Sequence, residues 1–121
     1  MSRAVISLVD PANAPEDVRK VAEAHVAKGY RMTNEKRTLL HNAVAFEALE
    51  GMSYAVSAEM KKFTSHRAAN LFQYAISLEN DCLVCSTYYR KAMADLGLEH
   101  LDESQFTPDE ALLVEYARAI V

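Results

Sequence analysis

Between its few breakers this chain spaces its apolar residues three and four apart, and nowhere alternates them with polar ones over a strand's length. That pattern disfavours sheet architectures and leaves packed helices. Three glycines and three prolines in 121 residues leave little to interrupt long elements. The length suits one domain with a modest core. The expected organisation is an N-terminal arm over 1–12, followed by an all-α domain of five to six helices over 13–121.

The helix signals follow one another closely. Asn13-Ala14-Pro15-Glu16 reads as a capping box, with Asn13 as cap. Val18, Val21, Ala22, His25 and Val26 then share a stripe that Gly29 can end. Thr33-Asn34-Glu35 opens a second stretch carrying Leu39, Leu40, Ala43, Val44, Phe46 and Leu49, and Gly51 is the expected break. Met52 to Lys62 reads as a third helix. Ser65 caps a fourth that runs to about Leu78 and presents Ala69, Phe72, Ala75 and Ile76. A fifth carries both cysteines and ends at Gly97. Thr107-Pro108-Asp109-Glu110 is the clearest start, with a threonine cap, proline at the first position and a glutamate to close the box. The last residues, Ala119-Ile120-Val121, are apolar and call for cover from the body or from another subunit.

A formal net charge of −4 argues against a nucleic-acid binder. The apolar stretch near Met1 is too short and interrupted for a signal peptide, and no run approaches membrane-spanning length. The expectation is therefore a cytoplasmic protein. In a reducing compartment a close cysteine pair points to catalysis, redox sensing or metal binding rather than to a permanent staple.

That pair is Cys82-Leu83-Val84-Cys85, the only two cysteines in the chain. A C-x-x-C spacing can close a small disulfide ring, hold a metal, or lower one thiol's pKa enough to make it a nucleophile. Asn80 or Asp81 is the expected cap of the helix that follows. Cys82 then lies in the first turn, where unpaired N–H groups and the helix dipole favour a thiolate. The Asp81 carboxylate opposes that ionisation. Structural zinc takes about four ligands, and this chain offers one pair with no histidine three to five residues away. No metal or cofactor is expected.

The stretch from Ser65 to Cys85, an apolar helix ending in serine and a polar turn before Cys-x-x-Cys, resembles the alkylhydroperoxidase D / carboxymuconolactone decarboxylase family. The Phe106-Thr107-Pro108-Asp109-Glu110 restart is similar to the family's later helix. The likeness runs from about Thr33 to the C-terminus. It implies a helical homo-oligomer, dimer- or trimer-based, with antioxidant or disulfide-reducing activity. The implied partners are a peroxide or disulfide substrate and a thiol or dithiol reductant, with no nucleic acid and no membrane. Cys82 and Cys85 carry over as the redox pair.

The redox branch of that family adds a glutamate twelve positions before the first cysteine and a histidine four after the second. Here those positions hold Asn70 and Tyr89. An amide does not titrate, and a phenol with a pKa of about 10 is a poor base at neutral pH. General acid–base assistance is worth about 10²–10⁴-fold, so the resemblance implies a weakened enzyme. Tyr89 shares a face with Cys85, where its phenol can bond a thiolate or simply fill the histidine's space. His66, one turn before Asn70, and Glu79, three residues before Cys82, are the candidate substitutes. The plainer reading makes them a surface histidine and a solvated turn carboxylate. His25 and His41 read as packing residues or oligomer contacts, and His100 as surface.

Three functions follow. The first is a thiol-dependent oxidoreductase of peroxidase or disulfide-reductase type. The second is a non-redox relative in the manner of the lactone decarboxylases, for which no replacement acid–base set is visible. The third is a non-catalytic oligomeric redox switch or binding protein that has kept the fold and lost the relay.

Overall fold

Among the described residues, six α-helices and two short 3-10 turns make up the regular structure in this computed structural model. Residues 5–98 and 100–121 are described, and no strand occurs among them. The helices are α1 (Glu16–Ala27), α2 (Asn34–Leu39), α3 (Ala43–Phe63), α4 (His66–Glu79), α5 (Leu83–Asp95) and α6 (Pro108–Ile120). None of them is long and apolar enough to cross a membrane. Contacts divide the chain into two units, Met1–Ala55 and Val56–Val121, with the boundary inside α3.

In the first unit Val18, Ala22, Leu40 and Phe46 form the core. Of the arm expected over 1–12, residues 1–4 lie outside the described residues. The remainder is tied to α2: the Val9 N–H donates to the Arg37 carbonyl at 3.1 Å, and Arg37 Nε donates back to the Val9 carbonyl at 2.8 Å. His41 Nε2 donates to the Ser7 carbonyl at 2.8 Å. The Asn13 capping box does not form. Asp10 instead caps a 3-10 turn at Pro11–Asn13, and the Asn13 amide donates to Asp10 at 2.7 Å. Pro15 disfavours helical backbone at the residue before it, and Ala14 is extended (φ −84°, ψ 162°). Helix α1 therefore starts only at Glu16, without a side-chain cap.

Two further boundaries differ from expectation. Thr33 caps α2 as expected, but the stretch breaks at Leu40–Asn42 rather than at Gly51. There Asn42 Oδ1 accepts the Ala45 N–H at 3.0 Å and starts α3. Gly51 is passed in helical conformation, so the expected second and third helices merge beyond Ala43 into a 21-residue α3. A glycine in a helix interior costs only about 1 kcal/mol. A neighbouring side-chain cap and the burial of Leu40 outweigh it.

The second unit is built on α4, which packs against both α5 and α6. Leu71, Tyr74, Ala75, Met93, Leu98, Val114 and Ala117 are its buried apolar cluster. Because α4 is covered on two sides, Ala68, Ala69, Leu71, Tyr74 and Ala75 are all buried, a wider set than a single stripe. Leu78 is left exposed. Helix α5 ends at Gly97 (φ 72°), where Leu98 N–H bonds Met93 O at 2.8 Å and Gly97 N–H bonds Ala94 O at 3.0 Å. This is a Schellman closure with its apolar pair, Met93 and Leu98, both buried. The Thr107–Glu110 capping box forms as expected.

Candidate functional site

The corner between α4 and α5 carries the cysteines, and its geometry follows from two overlapping caps. Asn80 closes α4 and Asp81 takes the left-handed conformation at φ 49°. Cys82 N–H then bonds Ser77 O at 3.0 Å, and Asp81 N–H bonds Leu78 O at 3.1 Å. The same Cys82 is the N-cap of α5, where its sulfur accepts the Cys85 N–H at 3.3 Å. Cys82 itself therefore takes the cap position expected for Asn80 or Asp81, because those two residues are used in ending α4.

Cys82 and Cys85 are joined by a disulfide, with Cα atoms 5.3 Å apart. Both residues are half-buried. Between them Leu83 and Val84 project outward, 77% and 59% exposed. Behind them Ser86 is buried and its hydroxyl donates to the Leu83 carbonyl at 3.2 Å. The sulfur pair thus sits on a backbone anchored from both helices, at a face open to solvent.

The other candidates are placed separately. Tyr89 lies one turn beyond Cys85, half-buried and edge-on to Tyr88 with ring centroids 5.1 Å apart. Burial, then the neighbouring Tyr88, push its phenol above the ordinary value. It therefore stays protonated at neutral pH. Asn70 is buried near the start of α4, and its amide nitrogen lies 3.0 Å from Nε2 of the exposed His66. That bond joins the two residues to each other and not to the cysteines. Glu79 pairs with Arg118 Nε at 3.5 Å, and Arg118 also holds Glu103 at 2.8 Å. Its carboxylate ties α4 to α6.

A second polar centre lies wholly in the first unit. Lys36 Nζ donates to Tyr54 Oη at 2.8 Å, and is 3.2 Å from both Glu50 Oε2 and His25 Nε2. Tyr30 stacks on Tyr54 at 3.9 Å, and Phe46 meets His25 edge-on at 5.1 Å. Burial, then the Lys36 charge, hold the His25 imidazole below its ordinary value. Of the two roles expected for His25, hydrogen-bonded packing is the one seen. No spacing rule finds this group, because its members come from α1, α2, α3 and the α1–α2 loop.

In the second unit Arg67 Nε meets Glu110 Oε1 at 2.8 Å, and the same carboxylate accepts the Thr107 N–H at 2.9 Å. Burial raises the Glu110 carboxyl, but Arg67 and the Thr107 N–H together hold it below the usual glutamate value. A groove of about 360 Å³ is lined by Tyr74, Leu78, Arg90, His100 and Leu101. No cluster of three or more potential metal ligands occurs among the described residues.

No protein-family model, no curated protein and no solved structure matches the chain.

Proposed function

We propose that the protein is a thiol-dependent oxidoreductase that cycles Cys82 and Cys85 between dithiol and disulfide, with a fold similar to that of the alkylhydroperoxidase D / carboxymuconolactone decarboxylase family. The observation that carries this reading is the disulfide at a solvent-open helix N-cap. A permanent staple would add little to a corner already closed by Ser77 O, Leu78 O and the Cys82 sulfur.

In the reduced form the Cys82 sulfur keeps the Cys85 N–H as donor, and the first-turn amides of α5 add their dipole. Both favour the thiolate at Cys82. Attack on a peroxide oxygen breaks the O–O bond, leaves a sulfenic acid and releases alkoxide or hydroxide, which takes a proton from solvent. The Cys85 thiol then displaces hydroxide from the sulfenic sulfur, closing the disulfide and releasing water. An external dithiol reopens it by exchange through a mixed disulfide. Asn70 does not titrate and Tyr89 is held as a neutral phenol. The proton steps therefore fall to water, and turnover is slow.

The test is peroxide consumption with a dithiol donor. Wild type should act, Cys82→Ser and Cys85→Ser should not, and Asn70→Glu with Tyr89→His should raise the rate. A disulfide that forms stoichiometrically with peroxide but never turns over with added dithiol favours the redox-switch reading instead. Absence of both behaviours removes the redox proposal.

The same proposal includes self-association. Leu112, Tyr116 and Ile120 recur every fourth residue along α6 and are all at least half exposed. Leu83, Val84 and Tyr88 are likewise uncovered on α5. Apolar surface of this kind marks an interaction face, and a second copy of the chain is the partner proposed.

A further inference from the structure

We infer that the groove lined by Tyr74, Leu78, Arg90, His100 and Leu101 binds a small amphiphilic carboxylate, an organic acid with a short apolar body. The groove belongs entirely to the second unit, and its volume of about 360 Å³ falls in the range of small-molecule sites. Its walls divide by chemistry. Leu78, Leu101 and the ring of Tyr74 offer apolar surface, and Arg90 and His100 offer nitrogen donors.

The polar part of the lining points to an anion there. The exposed side chains of Arg90 and His100 have no oxygen partner among the described residues. Two nitrogen donors thus border one concavity. A guanidinium offers the planar fork that a carboxylate matches with two parallel bonds.

The wall itself is held in an unusual conformation. Leu101 has φ 47°, a region that a branched apolar residue seldom enters, and its N–H bonds the Leu98 carbonyl at 3.2 Å. Strain of this sort persists where a ligand wall must be shaped. Leu78 and Leu101 line the same groove, so an apolar chain can lie against them while its carboxylate meets Arg90.

The inference is independent of the thiol chemistry and is tested on the oxidised full chain. Amide chemical shifts are followed by NMR while octanoate, octanol or acetate is added. Octanoate should move the signals of Leu78, Arg90, His100 and Leu101. Octanol lacks the charge and acetate lacks the chain, so both should bind clearly more weakly. Arg90→Gln should weaken octanoate about five- to tenfold, as an exposed charge-assisted bond allows, and leave octanol unchanged. His100→Gln is the second variant should the first not fold. Equal binding of octanol and octanoate, perturbation centred elsewhere, or indifference of octanoate to the variants overturns the assignment.

Discussion

Asp81 stands at φ 49°, immediately before Cys82, whose sulfur caps α5. Glycine enters that region without the Cβ clash. Asp81→Gly should therefore raise stability by about 0.5–1 kcal/mol, read from the urea midpoint. In the reduced protein, loss of the carboxylate should let Cys82 alkylate with iodoacetamide at a lower pH. A lowered midpoint, or an unchanged alkylation profile, contradicts this account of the corner. Single groups also set the response to acid. His25 is held below its ordinary pKa by burial and by Lys36, so below about pH 6.5 the unfolded chain takes up the proton first. That part of the stability is complete above the ordinary value and is lost as the pH falls. Glu110 is depressed too, and its contribution is lost below the ordinary glutamate value. Chemical denaturation against pH should show two successive losses, the upper one absent in His25→Gln and the lower one reduced in Glu110→Gln, where Asp102, also held below its ordinary value by Ser104 and Gln105, remains.

At the scale of elements, α3 offers the cleanest test. Gly51 lies inside that helix, and a Cβ built on it would meet nothing within 4 Å. Gly51→Ala should add about 1 kcal/mol, raising the thermal midpoint without changing the fold. A loss would mean that the helix is not continuous there. The helices whose starts were legible in the residues are those whose caps act locally: Thr33, Ser65 and Thr107 each bond an N–H three residues on. Where the reading failed, two local signals competed. Asn13 matched a capping box, but Pro15 excluded the helical backbone it needed. Asn80 and Asp81 were both suitable caps for α5, yet ending α4 required them first. Gly51 looked like a stop because sequence shows a glycine's cost and not the packing that offsets it.

For the chain as a whole, the apolar side chains left outside are the main unmet demand. Ile120 and Val121 are about half exposed, so these apolar side chains are only partly covered by the chain's own residues. Leu112→Glu with Tyr116→Glu should convert an oligomer to a monomer in size-exclusion chromatography while helical circular dichroism is retained, since both side chains are more than half exposed in the single chain. A wild-type monomer at micromolar concentration removes the self-association proposal. Helical periodicity, scarce breakers and the cysteine spacing are properties of neighbouring residues, and they were enough to establish an all-α chain with a candidate redox pair. Which side of α4 is covered, the enclosure of Lys36 by His25, Glu50 and Tyr54, the pairing of Glu79 with Arg118, and the groove shared by Arg90 and His100 depend on residues distant along the chain. Only tertiary packing decided these, because a contact between elements follows from how their faces fill space together, and no spacing within one element records it.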